Sequence, residues 1–497
     1  MLSQNAQKSK HFIAIGLFVL GILSAIVLSL KNNYWTITTA DYYSLECYFL
    51  HIRLSYLEAV TLQLQNEGIY KAFTWFLDHN SAYYLYLSYL ATAFDLDAGK
   101  TFIIAQFFAI LFLMGVFPVL MYKITKRVSF ALASIVLFFL MPNIVPASMF
   151  QINDCYWVYY WVLMIGVPIL YILLTNEWSN KMWGYTLLLC FTLAIAQLVR
   201  SNAGVFLWIA LIGVVIYKNI ATIKQFIKIK SPKILSLLLG LIIIFTCQNL
   251  FTTAIPNLYL LATGQDISER LDTMGPWHTL YIGLGWRDNP DDIYYDDICG
   301  YDQHPELLQD SYAEGSASGS IATDDESVDV YLEGIFLPQT EAYIDAIKVS
   351  YFEALSGHPL IYFISYLLKV AVGLVMAMRI MLLFGIPFYL IPSTIGAVAV
   401  SGLLCAAYLA ALCYMLRYCL KTQGKHILKK LLPVTALGAI ALINGLLPAV
   451  VAMPTYVYLA GVAGAYDIFV ILSFAVTLSH YLALRKREHQ IKGELSC

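Results

Sequence analysis

Long apolar runs separated by short polar segments account for most of the chain. Most runs hold about twenty residues, the length that an α-helix needs to cross the hydrocarbon core of a bilayer. We predict about 12 transmembrane helices, at residues 11–30, 101–122, 128–147 and 156–174, two within 183–217, and then at 234–253, 360–378, 380–393, 395–416, 431–452 and 456–483. This pattern predicts an all-α polytopic membrane protein.

The apolar stretch 183–217 is too long for one span and carries an arginine near its middle. Its polar interruption runs from Arg200 to Gly204. An arginine at the centre of a membrane helix is costly, whereas one at a helix end is tolerated. We therefore predict that one helix ends at Arg200 and that another begins after Gly204.

The segment that follows the first run is amphipathic. Between residues 44 and 67, apolar side chains recur every three or four positions, and Gly68 comes next. This spacing predicts a helix that lies on the membrane surface and stops at the glycine. A second short helix at 69–78 completes a first outer loop, residues 31–100, built from juxtamembrane helices.

Charge predicts the orientation of the helices. Lysine and arginine cluster at one set of loops and helix ends, at residues 8–10, 123–127, 218–233, 417–430 and 485–487. Positive residues are retained on the cytoplasmic side of a membrane. Both termini are therefore predicted to be cytoplasmic, and most acidic residues then fall on the opposite side.

Residues 254–358 differ from the rest of the chain. They are acidic, contain glycine, serine and proline, and include no apolar span. We predict an extracytoplasmic domain of α+β-like or irregular structure. The chain thus divides into a transmembrane core at 1–253 with the first outer loop, the outer domain at 254–358, and C-terminal transmembrane helices at 359–497.

Composition agrees with a membrane location. Of the 497 residues, 60% are hydrophobic and only 12% are charged, an excess of apolar residues over ordinary soluble domains. Neither large outer segment contains an Asn-x-Ser/Thr sequon, which favours a bacterial inner membrane over the endoplasmic reticulum. Membrane lipids are expected partners, and nucleic acid is not.

Four polar side chains from three separate segments face one compartment under this topology. They are Asp41, Glu46, Asp154 and Arg200. Their layout resembles the C-type glycosyltransferase superfamily, whose members use polyprenyl- or dolichyl-phosphate sugars. In that family a catalytic acid follows the first helix, where Asp41 stands, and a helix ends in Arg followed by Pro, Asn or Gly, as at 200–204.

The resemblance implies a polyprenyl-phosphate sugar donor and a lipid, glycan or protein acceptor. An inverting transfer needs a carboxylate to deprotonate the acceptor hydroxyl, the role implied for Asp41. Arginine offers a two-pronged donor to the leaving phosphate, the role implied for Arg200. Asp154 would orient substrate or a metal, and Glu46 would contact substrate.

Three of these residues, Asp41, Arg200 and Asp154, also have a purely structural alternative. Asp41 is equally suited to cap the helix that begins near Ser44. Arg200 could extend its side chain to the membrane interface. Asp154 could be an ordinary turn residue.

Two further substrate contacts are predicted in the second half of the chain. His278 lies in the run Trp277–Trp286, whose aromatic and glycine residues suit sugar stacking. The alternative is a core strand with a hydrogen-bonded histidine. Lys369 lies in the middle of a span, where a cation is a candidate ligand for a lipid phosphate or a member of a structural pair.

The sequence names no certain cofactor, although a divalent cation remains an alternative. Asp95 and Asp97 precede a helix, where aspartates commonly bind free backbone N–H groups. The pairs Asp291-Asp292 and Asp296-Asp297 offer oxygen ligands without the spacing of a known cation loop. A solvated acidic surface is the simpler explanation.

Three other functions compete with glycosyl transfer. A polysaccharide polymerase or ligase would use arginine or histidine in its large outer loop, here Arg270, Arg287 and His278. A transporter would suit the helix count, with Lys369 and Asp467 as the midplane candidates, but no inverted repeat is present. A non-catalytic assembly protein would work through its outer domain.

Overall fold

The computed structural model describes residues 2–32, 87, 90, 93–96, 98–140, 157–200, 202–226, 276–287, 289–293, 341–377, 393–423, 426–452, 454 and 459–495. Within these ranges the secondary structure is helical and contains no strand.

The described helices are numbered here in chain order. They are α1 (Leu2–Asn32), α2 (Ala98–Thr125), α3 (Val128–Leu140), α4 (Trp157–Thr175), α5 (Asn180–Val199), α6 (Val205–Phe226), α7 (Pro276–Leu284), α8 (Glu341–Gly357), α9 (Pro359–Ala377), α10 (Thr394–Gln423), α11 (His426–Val451) and α12 (Ala460–Leu495).

Among these helices, eight are long and apolar enough to cross a membrane: α1, α2, α4, α5, α9, α10, α11 and α12. Helices α3 and α6 contain shorter apolar segments. A chain with so many apolar helices is a polytopic integral membrane protein, as the sequence predicted.

Helix α4 lies at the centre of the bundle. It packs against α2, α5, α6, α11 and α12, and its side chains are buried from Trp157 to Leu173. The reason is in its sequence, because a helix that is apolar on every face has no side that favours water. The outer helices α9 and α10 instead leave apolar side chains exposed, including Leu367 and Leu403, which suits contact with lipid.

Contacts between helices define two ends of the bundle. At the first, which we call the lysine end, Ser479 Oγ donates to Thr125 O at 3.2 Å, and Lys218 Nζ donates to Asn176 O at 3.0 Å. Burial, together with the positive charges of Lys123 and Lys10, holds the pKa of Lys126 below its ordinary value. The other end, called the Arg200 end, holds the residues described in the next subsection.

The structure confirms the predicted boundary at Arg200 and corrects one alternative. Helix α5 ends at Val199, and α6 begins at Val205. Residues 276–284, for which a core strand was considered, form helix α7. For 254–358 the sequence predicted an α+β-like or irregular domain. The α+β-like alternative is wrong for the described part of this segment, which consists of α7, α8 and turns.

Other sequence predictions fall on parts of the chain outside the described residues. They are the juxtamembrane helices of residues 44–67 and 69–78 and the spans at 234–253 and 380–393.

Candidate functional site at the Arg200 end

Arg200 lies directly after helix α5 in extended backbone conformation. Its N–H donates to Ala196 O at 2.8 Å and so closes the last turn of that helix. Only 4% of the residue is exposed. The arginine is therefore enclosed by the bundle.

A compact turn connects Arg200 to helix α6. Ala203 N donates to Arg200 O at 2.9 Å. Gly204 closes the turn with a φ of +79°, and a Cβ there would lie 2.6 Å from a methyl carbon of Leu193. Both the backbone angle and the available space require glycine at this position.

The turn is fixed to the central helix by one side-chain contact. The hydroxyl group of Tyr159 in α4 donates a hydrogen bond to Asn202 Oδ1. Tyr159 is buried, whereas Asn202 is exposed. The turn therefore lies at the surface of the bundle with its buried side against α4.

Glycines let three helices approach closely at the same level. A Cβ on Gly445 of α11 would lie 2.4 Å from the carbonyl carbon of Gly461 in α12. A Cβ on Gly461 would in turn lie 3.1 Å from Tyr159 Cβ in α4. Small residues at such crossings allow the backbones of membrane helices to pack against each other.

This packing brings Asn444, the residue before Gly445, to the start of α6. Its Oδ1 accepts a hydrogen bond from Phe206 N at 3.4 Å. The other first-turn donors of α6 use the preceding turn: Leu207 N and Trp208 N donate to Gly204 O at 2.9 and 3.0 Å. The helix thus begins beside a buried asparagine from α11.

Lys369 of α9 is the other buried cation at this end, and it is 1% exposed. Its Nζ donates to Gly283 O at 2.6 Å, to Ala452 O at 2.8 Å and to Val450 O at 3.3 Å. An ammonium group has three donors, and each faces a backbone carbonyl. These carbonyls lie at the C-terminal ends of α7 and α11, where the helix dipole favours a positive charge.

Lys369 thereby connects α7 to the transmembrane bundle. The approach is close, because a Cβ on Gly283 would lie 2.1 Å from Val451 O. This geometry agrees with the structural alternative considered for Lys369. Its contact with a lipid phosphate stays a prediction.

His278 and its aromatic neighbours form part of a packed cluster. His278 is 1% exposed. The ring of Trp277 packs against Tyr351 and Phe352 of α8, with centroids 5.9 and 5.5 Å apart. Lys348 Nζ lies 5.4 Å from the same ring. The described contacts of Trp277 are thus with α8, and sugar stacking at this run stays a prediction.

Asp291, which the sequence analysis considered as a cation ligand, is held by the first turn of α9. Tyr362 donates its hydroxyl to Asp291 Oδ2 at 2.5 Å, and His358 Nε2 lies 3.7 Å from Oδ1. Asn289 also accepts from Ile293 N at 2.9 Å and so closes the loop. Asp291 therefore fastens this loop to α9. No group of three His, Cys, Asp or Glu in the described ranges could hold a metal ion.

Asp467, a midplane candidate for transport, is completely buried in α12. Tyr160 of α4 donates to its Oδ2 at 3.0 Å. The pair joins the central helix to the last one. Lys369 likewise binds carbonyls of other helices, so both transport candidates, Asp467 and Lys369, make hydrogen bonds that connect helices of the bundle.

Three predicted site residues lie outside the described residues: Asp41, Glu46 and Asp154. Of the others, the structure brings Lys369 against the helix that carries His278, and it places Arg200 one turn before α6. Helix α11 contacts the start of α6 through Asn444 and the Lys369 side chain through Val450. The two contacts are six residues apart, about 9 Å along a helix.

Sequence reasoning missed Tyr159, Asn202 and Asn444. Asn444 gave a usable signal, since an amide inside an apolar span needs a partner within the protein. The signal did not identify that partner, which is 238 residues away along the chain.

The arrangement offers chemistry suited to an anion. A permanently charged arginine, a helix N-terminus and a buried amide occur in residues 200–206 and 444, and each favours negative charge. Comparisons with protein-family models, with curated proteins and with solved structures found no match to this chain.

Proposed function

We propose that the protein is a membrane glycosyltransferase that transfers a sugar from a polyprenyl-phosphate donor to an extracytoplasmic acceptor. The observation that carries the proposal is the setting of Arg200, which is buried at the end of a membrane helix and one turn before the N-terminus of the next. A lipid phosphate has its charge at this depth, where a helix end meets the headgroups.

In the proposed reaction, Asp41 removes the proton from the acceptor hydroxyl. The acceptor oxygen then bonds to the anomeric carbon, and the bond from that carbon to the phosphate oxygen breaks. Arg200 stabilises the negative charge on the departing polyprenyl phosphate. Glu46 and Asp154 would orient the sugar, and a divalent cation is an alternative partner for Asp154.

The proposed topology has twelve spans with both termini in the cytoplasm of a bacterium and the Arg200 end outside. The lysines gathered at the opposite end of the bundle support this orientation. The segment 254–358, which includes α7 and α8, would then be the extracytoplasmic domain beside the site.

Transport is less well supported than transfer. A transporter needs polar groups near the midplane that a substrate can reach. The two candidates, Lys369 and Asp467, instead bind backbone carbonyls and a tyrosine hydroxyl.

An Asp41→Asn variant tests the proposal in proteoliposomes supplied with a polyprenyl-phosphate sugar and an acceptor. Loss of a general base should lower transfer by about 100-fold or more. Asp95→Asn, which alters an exposed turn residue, serves as the control. Equal transfer by wild-type protein and Asp41→Asn would refute the role of Asp41, and uptake of a solute without transfer would indicate a transporter.

A further inference from the structure

The side-chain amide of Asn444 has a donor without a partner. Asn444 is 1% exposed, and its Nδ2 makes no hydrogen bond. Because Phe206 N–H can only donate, the amide oxygen must face it, and the NH₂ group, which is bonded to the same carbon, is directed to one side of that contact. A buried donor left without an acceptor is unfavourable, so the arrangement calls for an additional acceptor atom.

The unused donor lies at a helix N-terminus, where negative charge is favoured. The first N–H groups of α6 make long contacts, Val205 N with Asn202 O at 3.5 Å and Phe206 N with Asn444 Oδ1 at 3.4 Å. Hydrogen bonds of this kind are normally 2.7–3.2 Å long. A stronger acceptor could therefore replace either contact at little cost.

The position is reachable from the surface of the bundle. Asn202 is exposed, and Val205 and Phe206 are half-buried. Arg200 precedes the same turn and keeps its positive charge. The group that completes the site should therefore be an anion with several acceptor oxygens, of which a phosphate is the simplest.

We infer that Asn444 and the N-terminus of α6 form a phosphate-binding site, in which Asn444 Nδ2 donates to a phosphate oxygen beside Arg200. The choice of a lipid-borne phosphate rests on the proposed function. The site itself needs only the phosphate group, which a free phosphate ion would also supply.

The test uses the full-length protein in phosphatidylcholine nanodiscs. The probes are a polyprenyl monophosphate, the uncharged polyprenol and inorganic phosphate, and the readout is the change in Tm with probe concentration. We expect the polyprenyl monophosphate to raise the Tm of the wild-type protein and polyprenol to leave it unchanged. A rise with inorganic phosphate alone would assign the site to the free ion.

Asn444→Asp keeps the acceptor for Phe206 N, removes the donor and adds negative charge. Its apparent affinity for the phosphate probe should fall by about tenfold or more, the effect of losing a hydrogen bond to a charged group. Asn219→Asp is the matched control, because Asn219 is also buried but its Nδ2 donates to Val215 O at 2.8 Å. That variant should respond like the wild type.

Asn444→Leu separates binding from folding. It removes the unpartnered donor together with the long 3.4 Å contact to Phe206 N, so the loss and the gain offset each other. The Tm without probe should therefore change little while the response to phosphate is lost. Equal responses from wild type, Asn444→Asp and Asn444→Leu would overturn the inference, as would a wild-type protein that responds to neither phosphate probe. Sugar transfer is measured separately. Phosphate binding without sugar transfer would support the phosphate site and contradict the proposed function. Undiminished transfer by Asn444→Asp would contradict only the phosphate site.

Discussion

The two buried cations at the Arg200 end have opposite surroundings. Lys369 faces the C-terminal carbonyls of α7 and α11, which use all three of its donors. Arg200 instead precedes the N-terminus of α6, where Asn444 carries an unused donor. Lys369 thus lies against helix C-termini, whereas Arg200 lies beside a helix N-terminus.

The comparison teaches that a buried charge is interpreted by the helix ends around it. A cation at helix C-termini is compensated by the fold and stabilises it. A cation grouped with a helix N-terminus accumulates positive potential, which an added anion would relieve. We therefore expect substitutions at Lys369 to act mainly on stability and those at Arg200 mainly on binding.

Lys369→Met should produce the largest effect. It leaves three backbone carbonyls without their donor, and because each unsatisfied buried acceptor costs about 1–3 kcal/mol, the free energy of unfolding should fall by about 3–5 kcal/mol. Denaturation in detergent, followed by tryptophan fluorescence, measures the change. Lys348→Met, at an exposed lysine over the Trp277 ring, is the control, and equal stability of the two variants would contradict the structural role of Lys369.

Arg200→Ala should affect phosphate binding more than stability. The loss of a charged donor should weaken binding of polyprenyl monophosphate by about 2–3 kcal/mol. Arg200→Lys should recover part of this, because it keeps the charge but not the two-pronged donor. Lipid titration in nanodiscs gives the affinities. A variant that unfolds like Lys369→Met yet binds normally would reverse the comparison.

Gly445→Ala tests whether close packing positions Asn444. The added methyl group would meet the backbone of Gly461, and overpacking of this kind costs about 1–3 kcal/mol. The Tm should fall, and the response to phosphate should weaken. Gly213→Ala in α6 is the matched control, since a Cβ there meets nothing within 4 Å; a similar loss in both variants would argue against a specific contact.

Tyr362→Phe should have a smaller effect in the region of Lys369. It removes the hydroxyl that binds Asp291, for a loss of about 1–2 kcal/mol. Limited proteolysis of the 289–293 loop should then become faster while α9 stays intact. Unchanged cleavage would show that the loop is fastened by other contacts.

Lys126→Gly changes a residue away from both Arg200 and Lys369, and it should be slightly stabilising. Lys126 has a φ of +58°, which glycine adopts without strain, so a gain of about 1 kcal/mol is expected. The Tm in detergent measures it. A loss of stability would mean that contacts of the lysine side chain outweigh its backbone strain.

Much of the helical framework could be predicted from the sequence, because apolar length is a local property. The helix boundary at Arg200 followed from the cost of a charge within a membrane. Residues 276–284 were harder to interpret, since a run of nine mostly apolar residues suits a strand as well as a helix. Its contacts with α8 decided the outcome.

The candidate site was predictable only in part. Arg200 could be located because its charge stands out in an apolar stretch. Asn444 could not be assigned to it, because the contact with Phe206 depends on how α6 and α11 cross. The partners of Lys369 were hidden for a similar reason: they are backbone carbonyls, which every residue carries and no sequence pattern marks.

The position of α4 has a consequence for biosynthesis. This helix leaves the ribosome early, yet two of the helices that enclose it, α11 and α12, lie far downstream in the sequence. The bond from Tyr160 to Asp467 spans 307 residues of chain. Until those later helices are inserted, one side of α4 is open to lipid or to the insertion machinery. Packing around α4 is therefore completed only after α12 has been translated.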